Sequence, residues 1–253
     1  MCELFAMSSK NPKSVNKYLQ EFYYHSDQHP HGWGLACIKG NQVNIEKEPI
    51  QAIKSHYLKQ RLSSPIKSPI VLSHIRYATI GNVEFENCHP YSMKDRFQTR
   101  WTLVHNGTIF HYPLLEKYVK KQEGSTDSER ILFYIIDQIN NQEKHLKPKD
   151  FFYLLDAIVT DMAKENKLNF ILTDGNIVYV HTNYACSLYY LIDDESILFA
   201  TTPLSQENWK QLPMTTLQAY KDGKLLYSGT NHHHEYFDNQ ENTKYLYQVF
   251  SDL

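Results

Sequence analysis

Residue 2 of the chain is a cysteine, and its place beside the initiator methionine gives it two reactive groups. Methionine removal is efficient before a small side chain, so trimming of Met1 would make Cys2 the mature N-terminus. The thiol is then a nucleophile, and the free α-amine, which titrates near pH ~7.7–8.0, is a base on the same residue. The alternative is a small core residue of a strand, since the segment from Cys2 to Met7 alternates in the manner of a strand.

Four further segments carry polar residues and glycines in patterns that core packing does not require. They are His31-Gly32-Trp33-Gly34, Ser73–Thr79 continued by Asn87–Pro90, Trp101–Gly107, and Ser125–Glu129. With Cys2, in the order Cys, Arg-aromatic-Ala-Thr, Asn-Gly and Thr-Asp, they resemble the class II glutamine amidotransferases, whose N-terminal cysteine hydrolyses the side-chain amide of glutamine. The start Met-Cys-Glu-Leu is most similar to stand-alone members of that family, which lack a fused synthase domain.

The resemblance implies that Cys2 is the nucleophile and that a γ-glutamyl thioester forms on it. The base would be its α-amine, or a water that bridges amine and thiol. The side-chain amide of Asn106 and the backbone N–H of Gly107 would form the oxyanion hole, where the loss of one donor typically lowers the rate by ~10²–10³. The alternative for Asn106-Gly107 is a two-residue hairpin turn, for which Asn-Gly is a strongly preferred sequence.

Recognition of the glutamate end is implied for two charged residues. Arg76, at the end of an apolar strand, would clamp the α-carboxylate, with Thr79 as a hydroxyl helper. Asp127 would bind the α-ammonium. The alternatives are an exposed or ion-paired arginine, and a carboxylate that complements the helix dipole within the capping box Thr126-x-x-Glu129.

Other residues of these motifs are expected at the pocket without a chemical role. His74, His89 and His105 should pack or form hydrogen bonds nearby, because the α-amine already serves as the base. Trp33, between two glycines, indicates close approach of backbone under the site. Ile80 departs from the synthase-linked members, which have histidine at that place, so only a backbone contact to substrate is expected there.

Composition excludes several function classes. The formal net charge is −2 with scattered Lys and Arg, which does not indicate nucleic-acid binding. No apolar run approaches the ~18 residues of a membrane span, and no charged start precedes an apolar stretch, so neither a span nor a signal peptide is predicted. The four cysteines, Cys2, Cys37, Cys88 and Cys186, form no C-x-x-C pair, which is typical of a reducing cytosol and predicts a cytoplasmic protein.

The run His232-His233-His234-Glu235 raises a metal site as an alternative function of the C-terminal segment. Adjacent histidines without further spaced ligands are more typical of a solvated tail. We therefore predict neither a metal nor a cofactor.

The hydrophobic periodicity predicts strands, then two long central helices, then strands again. Predicted strands cover 2–7, 34–38, 42–45, 70–77, 102–105, 170–173, 177–181, 188–192 and 197–201, with a further hairpin at 221–224. One predicted helix follows an Asn11-Pro12 cap, another spans 52–62, and the two central helices have apolar faces within 131–139 and 151–162.

This order favours an α+β fold in which helices lie outside an antiparallel pair of sheets. The family resemblance implies the four-layer αββα sandwich of the N-terminal-nucleophile hydrolases. No repeat or linker divides the chain, so we expect residues 1–253 to form a single glutamine amidotransferase type-2 domain with a polar C-terminal tail from about residue 230.

The leading hypothesis is a cysteine amidohydrolase that releases glutamate, with ammonia or an amine, from glutamine or a γ-glutamyl compound. Arg76 and Asp127 recognise only the glutamate end, so the leaving group stays open. It is either ammonia passed to a partner synthase, or a larger amine, as in related enzymes that trim γ-glutamyl peptides, where a peptidase would be the partner. The alternative from another class is a non-catalytic glutamate- or glutamine-binding subunit that regulates a partner enzyme.

Overall fold

The computed structural model describes residues 2–251 and has thirteen strands and five α-helices within that range. The strands are β1 Glu3–Ser14, β2 Trp33–Lys39, β3 Gln42–Glu48, β4 Lys67–Ile75, β5 Tyr91–Lys94, β6 Arg100–His105, β7 Phe170–Thr173, β8 Val178–His181, β9 Tyr189–Asp193, β10 Ser196–Ala200, β11 Lys210–Gln211, β12 Thr216–Lys221 and β13 Lys224–Asn231. The helices are α1 Asn16–Tyr24, α2 His56–Leu62, α3 Asp127–Asn140, α4 Pro148–Met162 and α5 Gln240–Ser251, and short 3₁₀ turns cover His25–Asp27, Ala52–Lys54 and Pro113–Tyr118.

The strands form two antiparallel sheets. The first has seven strands in the order β11-β9-β10-β1-β4-β2-β3, and the second has six in the order β13-β12-β8-β7-β6-β5. Strands β1 and β4 pair in the first sheet, and β6 and β7 pair in the second, although many residues separate the two strands of each pair. Residues far apart in the sequence therefore meet across each pair.

Three apolar clusters separate four layers. Phe5 and Met7 of β1 pack with Leu19 and Phe22 of α1 on the outer face of the first sheet. The intervening residues of β1, including Leu4, face the second sheet and meet its inward side chains. A third cluster joins the outer face of the second sheet to α3 and α4. Because side chains alternate along a strand, each sheet buries both faces, and the predicted αββα arrangement is confirmed.

Both central helices lie where their apolar periodicity predicts. The buried face of α3 contains Ile131, Leu132, Ile135, Ile136 and Ile139, and that of α4 contains Phe151, Phe152, Leu155, Ile158, Val159 and Met162. Strand β7 has the predicted bounds, and the predicted hairpin at 221–224 joins β12 to β13 through Asp222 and Gly223, both at positive φ.

The predicted Asn11-Pro12 helix cap is wrong. Both residues belong to β1, which continues to Ser14, and α1 begins only at Asn16, without a side-chain cap at Val15. The pairing of β1 with β4 shifts register between Ser8 and Lys13, and proline is tolerated in such an irregularity because no ladder bond needs its missing N–H. Tertiary pairing therefore overrides the local helix-start signal.

Two other segments differ from the sequence prediction. The helix expected over 52–62 divides at Ser55, which is extended and whose hydroxyl accepts a bond from the Leu58 N–H, so α2 begins only at His56. The segment from about residue 230, expected as a polar tail, continues β13 to Asn231 and later forms α5. None of the helices within residues 2–251 is long and apolar enough to cross a membrane.

Candidate active site

Strand register places Cys2 opposite Arg76. Strands β1 and β4 pair Glu3 with Ile75 and Leu4 with His74, and the same register continues to Cys2 and Arg76 just beyond the strand ends. Side chains on one face of a strand recur every second residue, and Leu4 faces the second sheet. Cys2 and Arg76 therefore continue rows that point between the two sheets.

The second sheet supplies Asn106 to the same edge. Strands β6 and β7 pair His105 with Phe170, and the Asn106 N–H donates to the Asn169 carbonyl at 2.8 Å. Val104 lies in the cluster between the sheets, so Asn106 continues an inward row toward Cys2. The candidate residues thus lie just beyond the ends of two strand pairs, β1–β4 and β6–β7.

The Cys2 thiol is held by backbone beside Arg76. Its Sγ donates to the Tyr77 carbonyl and accepts from the Tyr77 N–H, each at 3.4 Å. Burial raises the pKa of this thiol, the positive charge of Arg76 lowers it, and the Asp127 carboxylate raises it. Cys2 is therefore within electrostatic range of both residues predicted to recognise substrate. Met1, whose removal the amine-base mechanism requires, lies outside the described residues.

Asn106-Gly107 does not form a hairpin turn. The chain continues past β6, and Thr108 exchanges backbone hydrogen bonds with Lys167 at 2.9 and 3.1 Å. A Cβ at Gly107 would lie 2.0 Å from the Lys167 carbonyl oxygen, so the close approach of that strand requires glycine. The segment extends the antiparallel pairing of the sheet, so the two-residue hairpin turn that the sequence allowed at Asn106-Gly107 is not formed.

Arg76 is buried and bound to a loop. Its Nη1 donates to the Asn82 carbonyl at 2.7 Å, and its Nη2 donates to the carbonyls of Ile80 and Gly81 at 2.9 and 2.8 Å. The exposed-arginine alternative is wrong, since Arg76 is 3% exposed. Three of the five guanidinium N–H groups thus hold the loop that follows the half-buried Thr79. The other two, the Nε–H and one Nη1–H, do not take part in these three bonds.

Asp127 opens α3 and also contacts the segment that follows Asn106-Gly107. Its Oδ2 accepts from the Ile109 N–H at 2.8 Å, two residues after Gly107. Thr126 caps the helix by accepting from the Glu129 N–H at 3.3 Å, as predicted. The other half of the capping box differs, because the Glu129 carboxylate accepts from the Glu123 and Gly124 N–H groups instead of closing on Thr126.

Three motif histidines are buried beneath this site. The rings of His74 and His89 lie 4.1 Å apart, and His105 Nδ1 is 2.9 Å from the Ser128 hydroxyl. Burial lowers the pKa of all three imidazoles, which favours the neutral form of each ring. His74 of β4 lies two residues before Arg76, and His105 is the last residue of β6, directly before Asn106.

Trp33 lies on the other side of the first sheet. Its indole donates to Glu48 at 3.1 Å and stacks near Tyr57 in the cluster with α1 and α2. The flanking glycines do bring backbone close, because a Cβ at Gly34 would lie 1.9 Å from the His89 carbonyl oxygen. The segment 88–90 is thus pressed against β2.

His232 is not part of a solvated tail. It is 8% exposed, and its Nε2 lies 3.0 Å from Nε2 of the buried His181. His181 Nδ1 lies 2.7 Å from the Leu168 carbonyl, and His232 Nδ1 accepts from the His234 N–H, so His232 Nε2–H is the donor of the pair. The pair attaches the C-terminal segment to the end of β8, which pairs with β7. Across residues 2–251, no group of three His, Cys, Asp or Glu side chains is arranged to hold a metal ion.

Sequence reasoning missed three residues at this edge. His31 Nδ1 accepts from the Ala78 N–H at 2.9 Å, and its ring lies 5.2 Å from that of Tyr77. Asn169 is fully buried, and Lys167 is 3% exposed. Of the three, only His31 belongs to a motif that the sequence analysis identified. Asn169 and Lys167 precede a predicted strand, and their place at this edge follows only from their backbone bonds to Asn106 and Thr108.

Comparison with known proteins identifies the family of the chain. The sequence model of the glutamine amidotransferases class-II matches residues 1–195. An uncharacterized protein of Methanocaldococcus jannaschii, MJ1515, is 28% identical over 255 residues, which cover 90% of this chain and 71% of that relative.

Solved structures share the fold. The crystal structure of a predicted glutamine amidotransferase from Pseudomonas aeruginosa has a TM-score of 0.62 and 20% identity, covering 89% of this chain and all of that one. Glutamine phosphoribosylpyrophosphate amidotransferase of Bacillus subtilis has a TM-score of 0.66 and 17% identity, covering 90% of this chain and 48% of that one. From the family match and the four-layer fold, the chain belongs to the class II glutamine amidotransferases.

Proposed function

We propose that the protein is a cysteine amidohydrolase that cleaves the γ-amide of glutamine or of a γ-glutamyl compound through a thioester on Cys2. The observation that carries this proposal is the position of the Cys2 thiol on the backbone of Tyr77, directly after the buried Arg76. The charges of Arg76 and Asp127 both influence the pKa of this thiol. A cation and a carboxylate placed around one nucleophile match the α-carboxylate and α-ammonium of a glutamyl group. Asn106 and Gly107, at the end of β6, supply amide donors at the same edge.

The reaction then has four steps. After removal of Met1, the α-amine of Cys2 takes the thiol proton, and the sulfur attacks the δ-carbonyl carbon of the substrate. The Asn106 amide and the Gly107 N–H donate to the resulting oxyanion. Collapse of the tetrahedral intermediate breaks the C–N bond, and the leaving amine takes the proton from the α-ammonium. Water attacks the thioester, releases glutamate and restores the thiol.

The recognition groups leave the amine side of the substrate open. Arg76 and Asp127 address charges of the glutamyl group that do not change during reaction. If the leaving group is ammonia, a separate synthase is the natural acceptor. If it is a larger amine, the substrate is a γ-glutamyl compound, and a peptidase that processes the released product is the corresponding partner.

Labelling with a glutamine analogue that carries an electrophilic carbon at the δ position tests the proposal. Intact-mass measurement and peptide mapping should find one adduct, on Cys2, that is absent from Cys2→Ala. The matched control is Cys186→Ala, which removes an exposed cysteine and should keep the adduct. Saturable glutamine binding without an adduct or turnover would instead support the non-catalytic regulatory subunit, and adducts on Cys186 alone would show only nonspecific thiol reactivity.

A further inference from the structure

A cavity of about 430 Å³ lies at the end of the second sheet that is away from the candidate active site. Trp101 of β6 lines it, and Asn106 lies beyond the other end of that strand, roughly 17 Å away at ~3.4 Å per residue. Asp174, which also lines the cavity, directly follows β7, whereas Asn169 directly precedes that strand. The lengths of β6 and β7 therefore separate the cavity from the edge that carries Cys2.

The inner wall of the cavity is aromatic. The ring centroids of Trp101 and Phe151 are 4.2 Å apart, and those of Phe151 and Tyr179 are 5.1 Å apart. The Trp101 indole N–H donates to Asp95 Oδ2 at 2.9 Å, and the other oxygen of Asp95 accepts from two backbone N–H groups. Asp95 is thus bonded on both oxygens and fixes the wall. A cavity of this volume and lining is typical of a small-molecule site.

Asp174 is half-buried at the mouth of the cavity, with one carboxylate oxygen unbonded. Its Oδ1 accepts from the N–H groups of Asn176 and Ile177 at 2.8 and 2.7 Å, whereas its Oδ2 accepts no hydrogen bond from residues 2–251. Burial raises the pKa of Asp174, and these backbone donors and the exposed Lys221 lower it. Lys221 does not form an ion pair with Asp174. Because a partly buried carboxylate without a counter-ion is unfavourable, a cation in the cavity stabilises it.

The Tyr179 hydroxyl is the second polar group of the cavity that lacks a partner. Tyr179 is 0% exposed, and its oxygen forms no hydrogen bond with any of the residues that the structure describes. Burial raises the pKa of this hydroxyl, and the negative charge of Asp174 raises it further, so the two groups lie within electrostatic range of each other. A buried hydroxyl without a hydrogen bond is unfavourable. One cationic donor placed between Asp174 and Tyr179 would satisfy both oxygens.

We infer that this cavity is a binding site for a small organic ammonium ion that carries an aromatic or other apolar group. The ammonium donates to Asp174 Oδ2 and to the Tyr179 oxygen, and the apolar group lies against the Trp101 and Phe151 rings. The ring faces also attract the positive charge. An anionic or a purely apolar ligand would leave the Asp174 carboxylate unpaired. The inference does not depend on the proposed function, because it uses none of the residues at the Cys2 edge.

The test compares three probes of similar shape on the full chain: 2-phenylethylamine, which is protonated near neutral pH, the neutral 2-phenylethanol and the anionic 3-phenylpropionate. Isothermal titration calorimetry should give the amine a Kd of about 1 mM or lower. We expect its affinity to exceed that of the alcohol by about 10–100-fold, the range of a hydrogen bond between charged groups, and the anion to bind weakest.

Nuclear magnetic resonance locates the bound probe. The chain has three tryptophans, so the amine should shift the indole N–H resonance of Trp101 and leave those of Trp33 and Trp209 in place. Both of these lie in the cluster on the outer face of the first sheet, away from the cavity.

Variants assign the preference for a cation to Asp174. Asp174→Asn keeps an oxygen for the Asn176 and Ile177 N–H groups but removes the charge, so it should lower the affinity for the amine to that of the alcohol. Tyr179→Phe should weaken amine binding by about 2–10-fold without loss of stability, because the hydroxyl has no partner within the protein. Asp27→Asn, at an exposed carboxylate in the 3₁₀ turn after α1, is the matched control and should bind as the wild type does.

Three outcomes would overturn the inference. Equal affinities for the amine and the alcohol would show an apolar cavity without a cation site. Amine binding that leaves the Trp101 resonance in place, or that survives Asp174→Asn, would place the cation elsewhere. Absence of saturable amine binding up to about 10 mM would show that the cavity holds no such ligand. Each of these results leaves the labelling test of Cys2 unaffected, so the two proposals fail separately.

Discussion

The Asp127 carboxylate accepts a hydrogen bond at 2.8 Å from the backbone N–H of Ile109. The residue proposed to bind the substrate's α-ammonium therefore also fixes the segment that follows the oxyanion donors. Asp127 is 5% exposed at the first turn of α3, so the helix N-terminus favours its charge as well. Under the proposed function, the Asp127 side chain would both bind the glutamyl group and fix the segment that carries the oxyanion donors.

This double role predicts different effects for two substitutions. Asp127→Asn keeps an oxygen that can accept from Ile109 but removes the charge, so it should raise KM for a γ-glutamyl substrate with little loss of stability. Asp127→Ala also removes the bond and should lower the free energy of unfolding by about 1–3 kcal/mol. Steady-state kinetics and guanidinium unfolding of both variants check this. Equal free energies of unfolding for the two variants would show that the hydrogen bond from Ile109 does not stabilise the fold.

The nucleophile prediction concerns Cys2. Cys2→Ala should reduce hydrolysis by ~10³ or more while it leaves folding and glutamate binding nearly intact, because only the reacting sulfur is lost. Cys2→Ser should be almost as inactive, because a hydroxyl is the weaker nucleophile beside an amine base. Turnover and glutamate affinity are measured on the same samples, with Cys186→Ala as the control. Activity above about a tenth of wild type in Cys2→Ala would exclude Cys2 from the mechanism.

The amine-base mechanism predicts that processing of Met1 controls activity. A variant with an uncleavable residue inserted before Cys2 should be inactive, because its α-amine lies a residue too far from the thiol to take its proton. Mass spectrometry establishes the N-terminus of each preparation before its turnover is measured. Full activity in protein shown to retain the extra residue would rule out the N-terminal-nucleophile mechanism.

Kinetic parameters should distinguish Asn106 from Arg76. Asn106→Ala should lower kcat by ~10²–10³ with a smaller change in KM, because its amide meets a charge that exists only in the transition state. Arg76→Lys should mainly raise KM, because the carboxylate it holds keeps its charge throughout. Loss of the three bonds from Arg76 to loop carbonyls should also increase proteolysis within 80–82. If Arg76→Lys lowered mainly kcat and Asn106→Ala raised mainly KM, the roles assigned to the two residues would be reversed.

Buried neutral histidines predict acid sensitivity. Burial lowers the pKa of His181 to about 3 and that of His232 to about 4, whereas both are near ~6.5 in the unfolded chain. The unfolded state therefore binds more protons below pH ~6.5, so stability is complete above that pH and is lost as the pH falls toward about 4.

Guanidinium unfolding at several pH values between about 4 and ~6.5 measures how the free energy of unfolding changes with pH. His232→Gln removes one of the buried titrating histidines and should give a shallower loss of stability with falling pH than the wild type. His56→Gln, at an exposed position, is the matched control and should follow the wild type. A wild-type stability that is constant from pH 7 to 4.5 would contradict the assignment of neutral, buried imidazoles.

Much of the architecture follows from local pattern. The apolar residues of α3 and α4 recur at helical spacing and are buried, and β7 has its predicted bounds because its short apolar run is bordered by turn residues. The Asn11-Pro12 prediction failed where strand pairing competed with a local signal. Motif order along the chain also identified Cys2, Arg76, Asn106 and Asp127 as candidates before any geometry was known.

By itself, the sequence determined the layer order and the chemical types at the candidate site, because periodicity and side-chain chemistry are local properties of the chain. Only the tertiary structure decided which residues share the edge. The β1–β4 register sets Cys2 opposite Arg76, and the β6–β7 pairing removes the hairpin alternative for Asn106-Gly107 and continues to the bridge between Thr108 and Lys167. Register is a relation between residues far apart in the chain, such as Glu3 and Ile75 or His105 and Phe170. It is fixed by burial of both sheet faces, and no local window of sequence contains it.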